Sequence, residues 1–127
     1  MGAHECRAIG ARVLVVEDDP AIARVLGLLL ERSGFVVNQA ENGLTAVDRF
    51  DREPPDLVLL DVALPDIDGW TVLRHIRGGS ASSVPVVVVT SHVQTRERSL
   101  EEGADAFVAK PFDNSELVAQ VDALLTS

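Results

Sequence analysis

Four short apolar runs in this chain end in residues that could do chemistry. Glu17, Asp18 and Asp19 follow Val13–Val16, and Asp61 follows Leu57–Leu60. Thr90 and Ser91 close a run of Pro and Val, and Lys110, with Pro111 and Phe112 behind it, follows Phe107–Ala109. Singly, each has an ordinary explanation: an Asp after a strand caps a helix, a Thr is a β former, and a Lys before Pro sits in a solvated turn. Together they form a set. Glu17, Asp18 and Asp61 brought close would repel one another, and a cation relieves that repulsion. All-oxygen ligands with room for water suit Mg²⁺. A Lys ammonium and a Thr hydroxyl beside such a site can hold a phosphoryl group. An Asp carboxylate can itself be the nucleophile, forming an aspartyl phosphate, and Asp61 ends the expected central strand.

That chemistry requires the run ends to meet, and the rest of the sequence says how they would. Continuous apolar runs at Val13–Val16, Phe35–Val37, Leu57–Leu60, Val84–Val89 and Phe107–Ala109 suit strands buried on both faces of a parallel sheet. Between them lie helical spacings: Ile22, Val25, Leu26, Leu29 and Leu30; then Leu44, Val47 and Phe50; then Trp70, Leu73 and Ile76. A charged fourth helix over Thr95–Glu102 has Leu100 as its anchor, and a fifth carries Leu117, Val121, Leu124 and Leu125. Asp19-Pro20 reads as an N-cap with Pro at the first helical position, and Asp113 with Glu116 as a capping box. Gly34 and Gly103 fall where helices end in left-handed residues. The stretch Gly78–Ser83 reads as a flexible connector. Five strands alternating with five helices predict an α/β fold: a doubly wound, five-stranded parallel sheet in a three-layer, flavodoxin-like sandwich. In that class ligands bind beyond the carboxyl ends of the strands.

Composition sets the limits. The 127 residues suit one domain, expected over 11–127 with a flexible lead over 1–10. The net charge of −9 opposes direct nucleic-acid binding, which needs clustered Lys and Arg. No apolar run approaches the roughly 18 residues of a membrane span. The lead carries no secretory pattern, and a single cysteine, Cys6, forms no internal disulfide; both fit a cytoplasmic protein.

The sequence resembles the CheY-like receiver domains of two-component response regulators over about residues 11–126. The resemblance rests on Val13–Pro20, Leu57–Asp61 with Leu64–Gly69, Val86–Ser91 and Gly103–Phe112. It implies that Asp61 is the phosphoacceptor, Asp18 a direct Mg²⁺ ligand, Glu17 its mainly water-mediated partner, and the Ala63 backbone carbonyl a further ligand. By the same resemblance Thr90 is the switch hydroxyl, Ser91 the small residue that leaves phosphoryl access, and Phe107 the aromatic switch. Lys110 bonds the phosphoryl group, turned inward by a cis peptide to Pro111. Ala63 and His92, two positions past the phosphoacceptor and the switch hydroxyl, flank the approach of a hydrolytic water, and His92 could position one. The stretch from Thr90 to Lys110 is about two residues shorter than in the family's usual pattern, in the loop before the fourth helix. The implied function is a phosphorelay switch rather than a metabolic enzyme. Its implied partners are a sensor histidine kinase or histidine phosphotransfer protein, and a downstream effector or an output domain of a longer regulator or hybrid kinase. A rival reading is a haloacid-dehalogenase-type phosphatase, whose Asp-x-Asp-Gly element resembles Asp66-Ile67-Asp68-Gly69.

Overall fold

The computed structural model describes residues 10–126, so most of the expected lead, Cys6 included, lies outside the described residues. Five strands form one parallel sheet: β1 (Arg12–Val16), β2 (Val36–Ala40), β3 (Leu57–Leu60), β4 (Val86–Thr90) and β5 (Ala106–Ala109), in the order β2-β1-β3-β4-β5. The helices are α1 (Pro20–Arg32), α2 (Gly43–Arg52), α3 (Gly69–Gly78), α4 (Arg96–Glu101) and α5 (Asn114–Thr126), with a 3₁₀ turn at Val93–Thr95 before α4.

Alternation along the strands explains why the runs read as unbroken apolar stretches. Leu14, Val16, Val58, Leu60, Val86 and Val88 face one way and pack with Phe50, Trp70, Leu73 and Ile76. Val13, Val15, Leu57, Leu59, Val87 and Val89 face the other and pack with Leu26, Leu30, Leu117 and Val121. Register then sets the edge where the run ends meet. Val16 pairs with Leu60, so Glu17 and Asp61 leave adjacent strands together, tied by the Asp61 N–H donating to the Val16 carbonyl at 3.0 Å. Thr90 pairs with Ala109, and the Lys110 N–H donates to the Thr90 carbonyl at 2.9 Å.

Several expectations are corrected. β2 runs to Ala40 because it is an edge strand, where Asn38 and Gln39 stay exposed while their backbone pairs with β1. β4 starts after Pro85, which has no N–H to give the ladder. Val25, Leu44 and Leu100 are exposed at 48%, 62% and 45%, so none anchors its helix. On α1, Ala23 and Gly27 are buried beside Leu26 and Leu30, and Ser99 takes the buried position of α4. The Gly78–Ser83 connector is pinned: the Arg77 guanidinium donates to the carbonyls of Ser82 (2.8 Å) and Val84 (2.7 Å). Asp19, Gly34 and Gly103 do what their sequence positions predict, and Asp113 accepts the Glu116 N–H at 3.0 Å, one half of the expected box. Among the described residues no helix is long and apolar enough to cross a membrane.

Candidate phosphoryl and metal site

The sheet edge gathers the charged residues around one ammonium. Lys110 Nζ donates to Glu17 Oε1 at 2.5 Å and to Asp61 Oδ2 at 2.7 Å. The other oxygens are held too: Asp61 Oδ1 accepts the Ala63 N–H at 2.9 Å and Glu17 Oε2 the Asp19 N–H at 3.1 Å. Both carboxylates are buried, Glu17 to 4% and Asp61 to 7% exposure. Burial pushes the Glu17 carboxyl above its ordinary pKa, with the Lys110 hydrogen bond drawing it back. Burial works to lower Lys110, but its bonds to Asp61 and Glu17 outweigh it and hold the ammonium above its usual value.

Asp18 completes the set. Glu17, Asp18 and Asp61 each offer a carboxylate oxygen, all within 4.8 Å of one another, and Asp18 is exposed. Three carboxylates against one ammonium leave an excess negative charge, in an all-oxygen donor set with an open side. These residues fit a small, hard, hydrated cation. They open on a cleft of about 700 Å³ whose walls include Ala63, Ser91 and His92. Thr90 stands behind that wall, fully buried, its Oγ1 accepting the His92 N–H at 3.2 Å. Phe107 is half-buried against the core, with the Arg96 guanidinium 5.8 Å from its ring centroid. The Lys110–Pro111 peptide is cis. Ala63 meets Asp61 through its amide.

Residues 13–122 match the response regulator receiver domain. This chain belongs to that family. It is 44% identical over 116 residues to the transcriptional activator protein IrlR of Burkholderia pseudomallei, covering 90% of this chain and 50% of that protein. It is 43% identical over 115 residues to the transcriptional regulatory protein CseB of Streptomyces coelicolor, covering 89% and 48%. The chain thus spans about half the length of these curated relatives. Among solved structures it is similar to the receiver domain of the sensor histidine kinase PA1611 from Pseudomonas aeruginosa PAO1, which has a magnesium ion coordinated in its active site cleft. The TM-score is 0.86 and the identity 30%, covering 93% of this chain and 99% of that one. A signal receiver domain of a histidine kinase from Syntrophus aciditrophicus gives 0.84 and 35%, covering 91% and 90%. A receiver is a phosphoacceptor in two-component signalling, and the phosphatase reading gives way to it.

The receiver's structure explains the rival motif. Asp66 accepts the Gly43 N–H at 2.7 Å and the Leu44 N–H at 2.8 Å, holding the start of α2. Asp68 caps α3 by accepting the Thr71 N–H at 2.9 Å. Neither lines the cleft with Asp61. Sequence reasoning missed two features. Ile22, Val25 and Phe112 form an apolar side of the cleft, signalled only by Val25 lying three residues past Ile22 on α1. The direct Glu17–Lys110 pair was also missed, because residues 93 apart carry no local signal.

Proposed function

We propose that this receiver accepts a phosphoryl group on Asp61 from the phosphohistidine of a histidine kinase or phosphotransfer protein. In this reading Mg²⁺ is held by Glu17, Asp18, Asp61 and the Ala63 carbonyl. The observation that carries it is the Lys110 bridge between buried Glu17 and Asp61, with Asp18 beside them at an open cleft. An Asp61 oxygen forms the bond to phosphorus while the phosphorus–nitrogen bond breaks, its electron pair leaving on the imidazole. Asp61 is oriented for this by the Ala63 N–H and by Lys110, whose ammonium is also in reach of oxygens on a group attached there. The cation, when bound, neutralises charge on the transferred oxygens. The Thr90 hydroxyl accepts from His92 yet keeps its own proton to donate. Exposed Ser91 leaves the approach open, and His92 faces the cleft where it could hold a hydrolytic water. Phe107 and the α4–β5–α5 surface then shift between two packings, read by an effector or output domain in the cytoplasm.

The test is labelling with acetyl phosphate and Mg²⁺. One hydroxylamine-sensitive phosphoryl group is expected, lost in Asp61→Asn. Mg²⁺ should raise the melting temperature, with Asp18→Ala blunting that rise more than Glu17→Ala. Labelling that survives Asp61→Asn overturns the assignment.

A further inference from the structure

The loop from Asp61 to Asp68 carries the reacting carboxylate at one end and is largely exposed along its middle, at Ala63, Pro65 and Asp66. Close to the strand it is fixed locally, by the Ala63 N–H on Asp61 and by the Gly69 N–H on the Val62 carbonyl at 2.9 Å. Its middle is fixed from elsewhere. The two oxygens of Asp66 take the Gly43 and Leu44 amides, 23 and 22 residues away in sequence. Ile67 packs on the same spot: a Cβ added at Gly43 would lie 2.3 Å from Ile67 Cγ1.

The first turn of α2 also has a cap of its own. Asn42 Oδ1 accepts the Thr45 N–H at 2.8 Å, and the Asn42 carbonyl accepts the Ala46 N–H at 3.1 Å. Asp66 therefore pairs the two remaining amides of that turn, and its negative charge faces the positive end of the helix. Desolvation works to raise the Asp66 carboxyl, but the Leu44 and Gly43 amides outweigh it and hold it below its ordinary pKa. Both ends of this bridge matter: it caps a helix, and it anchors the segment that presents Asp61.

We propose that Asp66 is a positioning residue for the receiver's phosphorylation site, tethering the Asp61–Asp68 loop to α2 so that Ala63 stays against Asp61. This rests on Asp61 being the phosphoacceptor. Freed from α2, the loop would let the Ala63 amide leave Asp61 Oδ1, and the carboxylate would lose one of the two bonds that orient it. Asn42 supplies the control, because its hydrogen bonds cap the same helix turn and none runs to the loop.

Three variants separate the roles: Asp66→Ala, Asp66→Asn, which keeps one acceptor and no charge, and Asn42→Ala. In the metal-free protein, amide hydrogen exchange over residues 62–68 should rise about tenfold in Asp66→Ala, as a local opening does. Its Mg²⁺-dependent phosphorylation by acetyl phosphate should slow about fivefold, the scale of a modest misplacement of a reacting group. Asp66→Asn should fall between. Asn42→Ala should lower the melting temperature yet leave both readouts within about twofold of the parent, since uncapping frays only the helix end. Equal changes in Asp66→Ala and Asn42→Ala would make Asp66 a helix cap and nothing more, overturning the proposal. So would unchanged loop exchange in Asp66→Ala. A parent that takes no label on Asp61 refutes the phosphoacceptor reading instead, and the loop exchange still decides whether the tether exists.

Discussion

The β1–β3 end of the receiver and the margin formed by α4 and β5 are built on different physics. At the first, Asp19, Asn42, Asp66 and Asp68 pair the opening amides of α1, α2 and α3. Behind them, β1 beyond Arg12 and the whole of β3 have almost no exposure. At the second, α4 has six residues, no side-chain cap and one buried residue, Ser99. It is fastened by charge. Arg74 on α3 donates to both oxygens of Glu102 (3.3 and 2.8 Å), Arg98 lies 4.4 Å from the Trp70 ring centroid, and Arg96 covers Phe107. Close packing and part-buried hydrogen bonds resist displacement of the reacting groups. Exposed ion pairs hold an element in place but let it go cheaply. The difference separates the part that must stay fixed for chemistry from the part that can move in response to it.

The strongest way to break this contrast is at the rigid side's ammonium, which Lys110 sends across to Glu17 and Asp61 from the end of β5. Lys110→Met leaves Glu17 and Asp61 buried without their ammonium, and about 2–3 kcal/mol of stability should be lost at neutral pH. Because burial makes Glu17 take a proton more readily than an ordinary carboxylate, the loss should shrink from neutral to mildly acidic pH. Denaturant unfolding at both pH values measures it. A cost no larger than that of cutting an α4 contact would remove the distinction.

A smaller effect is expected at the margin. Arg98→Ala should cost about 1 kcal/mol, the scale of a partly exposed cation–aromatic contact. Raising salt to about 1 M, where screening acts within about 3 Å, should speed amide exchange in residues 96–102 and leave residues 57–60 unchanged. Acid should likewise lower the protection of residues 96–102 once intrinsic exchange is corrected for pH. The Arg74 hydrogen bond holds the Glu102 carboxyl below its ordinary 4.5, so its stabilisation is present at neutral pH and lost as pH falls through that lowered value. Uniform exchange across both regions would contradict the division.

The smallest predicted effect lies on the seam. His92 belongs to the mobile side by its loop, yet its N–H donates to Thr90 and the residue lines the cleft. His92→Ala should change the decay of the phosphorylated receiver by several-fold, about 1 kcal/mol. Identical decay profiles would leave His92 outside the reaction.

The rigid half was the more legible in sequence, for a physical reason. Strands buried on both faces must be apolar throughout, so Val13–Val16 and Leu57–Leu60 announce themselves, and the charged residue after each is conspicuous. Asp19 and Asp113 cap helices that begin next to them, so spacing alone reveals them. Asp66 caps a helix that begins 23 residues earlier, which no local pattern can show. The margin hid for the opposite reason. Leu100 was read as an anchor because apolar residues usually bury themselves, but α4 attaches through arginines, whose partners are set by tertiary placement. Leu44 failed likewise: α2 turns Gly43, Ala46 and Phe50 inward and leaves Leu44 outside.

The stacking of Arg98 on Trp70 has one more consequence. The chain has one tryptophan and no tyrosine, so its near-ultraviolet emission arises almost wholly from a single indole. That indole sits on α3 with a guanidinium from α4 over its face. Any departure of α4 from α3 alters the polarity and quenching around the ring. The molecule therefore carries its own optical reporter at the joint between its fixed and movable parts, readable in a cuvette without a dye or an added label.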